Sequence, residues 1–127
     1  MQRLAESVKK IAIFVVDDHP VCRDMLVQAV SEFGFKFAGS ADSADAAFAQ
    51  LLAVQPELLV VDLMLPGVSG LELIQKVRQR WPSVRIVAFS GNDSEEAVAM
   101  ALETGAACFV EKTRPMDQVL STLREVA

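Results

Sequence analysis

The chain has 127 residues, of which 52% are hydrophobic, and its 12 basic residues are outnumbered by 17 acidic ones. This length and composition predict one globular domain with a sizeable core and exclude a disordered chain. The net charge of −5 and the lack of a basic run exclude direct binding to nucleic acid or to an anionic membrane. With no signal peptide and no apolar stretch of about twenty residues, the sequence predicts a cytoplasmic protein.

The chain begins with a polar segment, which predicts an N-terminal extension over residues 1–10 and a single domain over residues 11–127. The first apolar run, Ile11–Val16, shows no alternation of polar and apolar residues. It therefore predicts a strand that is buried on both faces of a sheet. Asp17 and Asp18 follow it directly.

His19 and Pro20 open the first predicted helix, and Gly34 ends it. The position of His19 before a proline indicates a residue of the helix start, not a metal ligand or a phosphocarrier. The apolar side chains expected to face the core are Val21, Met25, Val27, Val30 and Phe33.

Four more strands are predicted in chain order, at Phe35–Gly39, Leu58–Val61, Val84–Phe89 and Ala107–Val110. Lys36 interrupts the first of these and places it near an edge of the sheet. Four more helices are predicted after these strands. The first is capped by Asp42 or Ser43 and ends before Pro56, and the second runs from Gly70 to Trp81. The third is capped by Asn92 or Asp93 and ends at Gly105, and the last starts at Thr113, Arg114 and Pro115 and continues through Val126. Strands that alternate with helices predict an α/β fold with a doubly wound, five-stranded parallel sheet.

Polar side chains follow four of the five predicted strands. Because the carboxyl ends of parallel strands converge on one crevice, this crevice should contain Asp17, Asp18, Asp62, Ser90 and Lys112. Two carboxylates about 5 Å apart repel by about 3 kcal/mol at an effective dielectric of 20, so the cluster favours a divalent cation. Oxygen ligands without histidine or thiolate favour Mg²⁺, which commonly binds together with phosphate.

Asp62, which ends a buried strand, is the first candidate for chemistry. As a carboxylate nucleophile it can attack phosphorus, while Lys112 and the hydroxyl of Ser90 offset the charge on the phosphoryl oxygens. Each of these residues taken alone is better explained as a turn, cap or solvated residue. Their joint occurrence at four strand ends favours the functional interpretation.

The remaining chemically distinctive side chains have structural interpretations. Cys22 and Cys108 lack metal-ligand spacing and are expected to be small, buried apolar residues. On sequence grounds Phe109 is a core residue, and Trp81 packs at a helix end.

At these residues the chain resembles the receiver domain of bacterial two-component response regulators, with their CheY-like, flavodoxin-like fold. The resemblance rests on the acidic pair Asp17 and Asp18, on Asp62 with Pro66, Gly67, Ser69 and Gly70 after it, and on Ser90, Phe109 and Lys112. It implies the strand order 2-1-3-4-5. The segment VDDHPVCR further resembles the subfamily that carries a C-terminal helix-turn-helix DNA-binding domain.

The resemblance also implies how such a domain works. Asp17, Asp18 and Asp62, with the backbone carbonyl of Met64, would bind Mg²⁺, and Asp62 would accept a phosphoryl group from a histidine kinase or phosphotransfer protein. Ser90 and Phe109 would then switch a surface used for partner binding or homodimer formation, controlling transcription through an output domain. The domain would be no enzyme beyond catalysing its own phosphorylation and dephosphorylation.

Two departures from the family pattern follow Lys112 and Ser90. Thr113 stands where the family often has a proline in a cis peptide, and a cis bond before a non-proline residue costs about 3 kcal/mol. Gly91 follows Ser90 where a small residue such as alanine is common, which is expected to loosen that loop.

Other functional classes remain open as alternatives. One is a phosphorylation-independent interaction module with a receiver-like fold, against which the complete polar set counts. Another is a phosphatase of the aspartyl-phosphate type, which needs a second aspartate where Met64 stands. A dinucleotide-binding domain is disfavoured because the first strand-to-helix turn has no glycine-rich loop.

Overall fold

The computed structural model describes residues 10–127, so the predicted extension lies outside the described residues except for Lys10. The described part contains five strands, β1 (Ala12–Val16), β2 (Lys36–Ala41), β3 (Leu58–Val61), β4 (Arg85–Ser90) and β5 (Cys108–Glu111). Its five helices are α1 (Pro20–Glu32), α2 (Ala44–Leu51), α3 (Gly70–Arg80), α4 (Glu95–Thr104) and α5 (Met116–Val126). No helix in this part of the chain is long and apolar enough to cross a membrane.

The strands form one parallel sheet in the order β2-β1-β3-β4-β5, which confirms the predicted fold class and strand order. Val16 pairs with Val61, and Val61 pairs with Ala88. Because these strand ends are in register, the residues that follow them emerge side by side at one edge of the sheet. We refer to this edge as the carboxyl edge.

Strand β2 is an edge strand, as predicted, but it runs two residues further than the expected end at Gly39. The ladder continues because the backbone N–H of Asp17 donates to the carbonyl of Ala41 over 3.0 Å. The register shifts between Ile13 and Phe14, opposite Gly39, whose φ is +144°. A Cβ there would lie 2.7 Å from the Phe14 ring, so both the backbone conformation and the space require glycine.

The sheet is covered on both faces by apolar side chains. Helices α1 and α5 cover one face, where Ile13, Val15, Leu26, Val30, Leu58, Val60, Val119 and Leu123 are buried together. Helices α2, α3 and α4 cover the other, around Phe14, Leu51, Leu59, Leu73, Ile74, Val77 and Ile86. Helix α4 contributes only one fully buried residue, Ala101.

The predicted core face of α1 was wrong in part, since Val30 is buried and Val27 packs against the core as expected, but Val21 and Met25 do not face it. The structure buries Leu26 and Val30, whereas Val21 and Met25 are 65% and 57% exposed. Leu26 and Val30 are four residues apart and share one side of the helix. Met25 lies one residue, or about 100°, away from Leu26, so both cannot face the sheet. The sequence offers apolar residues on two neighbouring stripes of this helix, and packing against the sheet chooses between them.

Several helix starts also differ from prediction. Helix α4 is capped by Ser94, whose Oγ accepts the N–H of Ala97, and not by Asn92 or Asp93. The side chain of Asn92 instead accepts the N–H of Ser94 and shapes the loop before the helix. Helix α5 begins at Met116, and the extended Pro115 before it is the N-cap residue, which makes no side-chain capping hydrogen bond.

Other local predictions have mixed outcomes. Ser43, one of two candidates, caps α2, and Trp81 packs at the end of α3 with its ring centroid 5.3 Å from that of Phe48. Cys22 and Cys108 were expected to be small, buried apolar residues, but both are only half-buried, although Cys108 packs against the core. Their positions on the rims of α1 and of β5, which is the other edge strand, leave one side of each residue open.

Candidate functional site at the carboxyl edge

The carboxyl edge brings together the acidic residues that the sequence singled out. Asp17 and Asp62 are buried, with 1% and 2% of their surfaces exposed, and Asp18 is exposed. One carboxylate oxygen from each of the three lies within 4.8 Å of the others. The cluster forms because β1 and β3 are neighbours with matched ends, so the side chains after Val16 and Val61 share one crevice.

Asp17 is fixed by its own backbone surroundings. Its N–H donates to Ala41, and its Oδ1 accepts the backbone N–H of His19 over 2.9 Å. Its Oδ2 is buried and makes no hydrogen bond of good geometry within the described residues. The approach of Lys112 Nζ to this oxygen, at 2.9 Å, is therefore chiefly an ion pair.

Asp62 is held in a similar way on the neighbouring strand. Its N–H donates to Val16 over 2.9 Å, and its Oδ1 accepts the backbone N–H of Met64 over 2.9 Å. Its Oδ2 accepts a hydrogen bond from Lys112 Nζ, again at 2.9 Å. Gly70, the first residue of α3, packs closely against the backbone that follows Asp62. An added Cβ at Gly70 would lie 2.7 Å from the Cα of Leu63.

Lys112 links the two buried carboxylates. Its side chain is 18% exposed, and its backbone N–H donates to the carbonyl of Ser90 over 3.0 Å. Burial lowers the pKa of Lys112, but its close contacts with the Asp17 and Asp62 carboxylates and their negative charges raise it by more, so the pKa lies above its ordinary value. The lysine is thus held as a cation between the acids. The peptide bond between Lys112 and Thr113 is trans.

Ser90 is fully buried at the end of β4, where its Oγ accepts the backbone N–H of Asn92 over 3.2 Å. It lines a cleft of about 220 Å³ between the loop after β3 and α4, together with Leu63, Met64, Leu71, Asn92, Ser94, Glu96, Ala97 and Met100. Phe109 pairs in register with Ala88, two residues before Ser90, and packs half-buried against the core on the α2–α4 face.

Three polar contacts at the site were not foreseen from the sequence. Two are the backbone N–H groups of His19 and Met64, which no side-chain pattern reveals. His19 precedes α1 as its N-cap residue, as expected, but its side chain makes no capping hydrogen bond. The third is Arg23, whose Nη1 donates to the carbonyl of Asp17 over 2.9 Å. The only signal for it was a basic residue in the first turn of a helix, where the helix dipole disfavours positive charge.

The donor set fits a small divalent cation. Carboxylate oxygens are the ligands that Mg²⁺ prefers, and here three carboxylates converge with one buried oxygen that lacks a hydrogen bond. Asp18 is exposed, which fits a cation such as Mg²⁺ that retains water ligands.

Comparison with known proteins gives consistent results. Residues 13–124 match the family model described as the response regulator receiver domain. The chain is 33% identical over 116 residues to the nitrate/nitrite response regulator protein NarL of Escherichia coli (strain K12), a match that covers 91% of the chain and 54% of NarL. It is 35% identical over 120 residues to the transcriptional activator protein ExaE of Pseudomonas putida, covering 91% and 55%. The chain thus spans about half the length of these relatives.

A solved structure with a similar fold is the signal receiver domain of the response regulator NarL from Mycobacterium tuberculosis. The two superpose with a TM-score of 0.87 at 28% sequence identity, covering 93% of this chain and 96% of the other.

Proposed function

The chain belongs to the family of response regulator receiver domains, and from this premise we propose that Asp62 accepts a phosphoryl group from a histidine kinase or phosphotransfer protein. One observation carries the proposal: Asp62 lies at the end of a buried strand, with Oδ1 held by the Met64 N–H and Oδ2 by Lys112. Both contacts fix the carboxylate in one orientation before any donor arrives, which favours attack on phosphorus.

The chemistry requires an ionised carboxylate and compensation for the charge on the phosphoryl group. A carboxylate oxygen of Asp62 forms the new bond to phosphorus while the bond to the leaving group breaks, which gives an acyl phosphate. Lys112, a cation with a raised pKa, and the hydroxyl of Ser90 offset the negative charge on the transferred oxygens. The buried setting of these groups supports the assignment, because electrostatic interactions are stronger where water is excluded.

We assign Asp17, Asp18 and Asp62, with the carbonyl of Met64, to the binding of Mg²⁺. When bound, Mg²⁺ supplies charge neutralisation at the phosphoryl oxygens. The convergence of the three carboxylates supports this assignment, as does the buried Asp17 Oδ2 without a hydrogen bond.

Ser90 and Phe109 are proposed as the switch that responds to phosphorylation. A phosphoryl group adds a charge of about −1.5 to −2 and three acceptor oxygens, so it draws the Ser90 hydroxyl inward. Phe109 lies two register positions from Ser90 and is half-buried, so it has space to change rotamer. The affected surface is formed by α4, β5 and α5, and α4 is held to the core by Ala101 alone among its fully buried residues.

The output of the domain is proposed from its relatives. ExaE is a transcriptional activator and NarL a response regulator, and this chain matches about half of each. We propose that phosphorylation strengthens homodimer formation or partner binding at the switch surface in the cytoplasm, and that this controls transcription through an output domain. The domain itself acts as a signalling domain whose only catalysis is its own phosphorylation and dephosphorylation.

Phosphorylation with a small donor tests the proposal directly. Incubation of the chain with an acyl phosphate and MgCl₂ is expected to add one base-labile phosphoryl group, detected by intact mass. The variant Asp62→Asn should remain unmodified, whereas the control Asp93→Asn, which removes an exposed acid before α4, should be modified as in wild type. Labelling that persists in Asp62→Asn, or a wild type that is never labelled, would contradict the proposal and favour a phosphorylation-independent interaction module.

A further inference from the structure

Arg23 makes a contact that the proposed chemistry does not account for. It lies in the first turn of α1, and its Nη1 donates to the backbone carbonyl of Asp17 over 2.9 Å. The first turn of α1 contains no acidic residue, so the helix dipole opposes the positive charge, and the acids near Arg23 lie elsewhere, at Asp17 before the helix and at Asp42 beyond β2. A basic side chain in an unfavourable position, directed back to the site, indicates a specific role.

The Arg23 contact adds a further hydrogen bond that holds the backbone between Asp17 and Asp18 in place. The N–H of Asp17 is held by Ala41, and its Oδ1 by the N–H of His19. The carbonyl of Asp17 is held by Arg23, whose side chain lies beside the end of β2 and the start of α2 in a depression lined by Ser40, Ala41, Asp42, Ala46 and Gln50. A carbonyl and the N–H of the next residue share one rigid plane, so this bond fixes the backbone from which the Asp18 side chain projects.

The position of the Asp18 carboxylate depends on the orientation of the Asp17–Asp18 peptide more than the positions of the Asp17 and Asp62 carboxylates do. The carboxylates of Asp17 and Asp62 are each fixed by a backbone N–H and approached by Lys112. The exposed carboxylate of Asp18 makes no hydrogen bond or ion pair within the described residues. Its place within 4.8 Å of the other two therefore rests on its backbone alone.

We propose that Arg23 is a positioning residue, which holds the Asp17–Asp18 peptide so that Asp18 stays directed at the cation site. The inference rests on the proposed function, because it concerns the same Mg²⁺ site. The direction of the change in Mg²⁺ affinity on removal of Arg23 distinguishes a positioning role from a purely electrostatic one. A nearby positive charge weakens the binding of a cation, so loss of charge alone would tighten Mg²⁺ binding. Loss of positioning weakens it.

Calorimetric titration of the metal-free chain with MgCl₂ tests the inference. Variants Arg23→Ala and Arg23→Gln are expected to bind Mg²⁺ about tenfold more weakly, as is typical when a group that orients a metal ligand is removed. Arg23→Lys should restore most of the affinity, because one donor at this carbonyl suffices. In the metal-free protein, the amide resonance of Asp18 should shift in Arg23→Ala and return towards its wild-type position in Arg23→Lys.

The control is Arg114→Ala, which removes an exposed positive charge two residues after Lys112 without touching the Asp17 carbonyl. It is expected to bind Mg²⁺ as tightly as wild type or slightly more tightly. Unchanged or tighter binding in Arg23→Ala, measured beside a clear loss in Asp18→Ala, would overturn the role of Arg23 and leave the proposed site intact. Equal binding by wild type and Asp18→Ala would instead overturn the proposed cation site, and the inference with it.

Discussion

Lys112 Nζ lies 2.9 Å from Oδ2 of Asp62, although the two residues are 50 positions apart in the chain. The same nitrogen lies 2.9 Å from Oδ2 of Asp17, so one cation is shared by two buried carboxylates. Replacing it leaves two like charges together without compensation.

Lys112→Met is therefore expected to lower the free energy of unfolding by about 1 to 2 kcal/mol near pH 8, since it leaves buried charged partners unsatisfied. The pKa of Lys112 is raised in the folded chain. Its stabilising contribution is thus complete below the ordinary lysine pKa of about 10.4 and is lost as the pH rises through the higher folded value. The difference between wild type and variant should shrink only above about pH 10.4.

Urea unfolding followed by Trp81 fluorescence at several alkaline pH values measures this difference. The control Lys36→Met removes an exposed lysine on β2 and should show no such dependence. A difference that stays constant through the alkaline range would show that the ion pairs do not stabilise the fold.

The affinity for Mg²⁺ is expected to depend on Asp17 and Asp18, the acidic pair after β1. Asp17→Ala and Asp18→Ala should each weaken Mg²⁺ binding by about tenfold or more, because each removes one of three convergent carboxylates. Titration calorimetry with MgCl₂ measures the effect, and Asp117→Ala, at an exposed acid on α5, provides the control. Wild-type affinity in both site variants would rule out these residues as ligands.

Phosphorylation is expected to reach the switch surface through Ser90. Addition of beryllofluoride with MgCl₂ should shift amide resonances across Glu95–Phe109, because the mimic attracts the Ser90 hydroxyl and its loop. Ser90→Ala should reduce these shifts, whereas the control Ser83→Ala, at an exposed serine before β4, should not. Shifts confined to the acidic site, with Glu95–Phe109 unchanged, would contradict the switch.

Gly70 is predicted to be essential for the geometry of Asp62. An added Cβ would clash with the Asp62 carbonyl and lie 2.7 Å from the Cα of Leu63, so backbone must move. Gly70→Ala is expected to destabilise the fold by about 2 kcal/mol and to slow phosphorylation of Asp62.

Gly91→Ala is the matched control, because a Cβ there meets no atom within 4 Å. It should leave stability unchanged or raise it by about 0.5 kcal/mol, since alanine reduces the entropy of the unfolded chain. Equal stabilities of the two variants in urea unfolding would refute the packing argument for Gly70.

The five strands, the parallel sheet and the residues that follow the strands could be predicted from the residue pattern along the chain. Short, uninterrupted apolar runs such as Leu58–Val61, bounded by turn residues, predict a buried strand. Aspartate follows two of these runs, and the structure buries both carboxylates, of Asp17 and Asp62, at the carboxyl edge. The convergence of Asp17, Asp62 and Lys112 follows from parallel topology, because parallel strands share one carboxyl edge.

Where the sequence offers two or more equivalent residues for one position, only packing of the helices and strands selects among them. Met25 and Leu26 are equally apolar by pattern, and only contact with the sheet buries Leu26 and leaves Met25 exposed. Asn92, Asp93 and Ser94 are all good caps, and the loop after β4 selects Ser94.

Three further contacts came only from the structure. They are the bond of Arg23 to the Asp17 carbonyl, the N–H groups directed at the carboxylates of Asp17 and Asp62, and the sharing of Lys112 between these two acids. These contacts depend on distances of about 3 Å between groups on different elements. Residue types and spacing along the chain do not specify distances of that kind, because they emerge only when the helices and strands have packed.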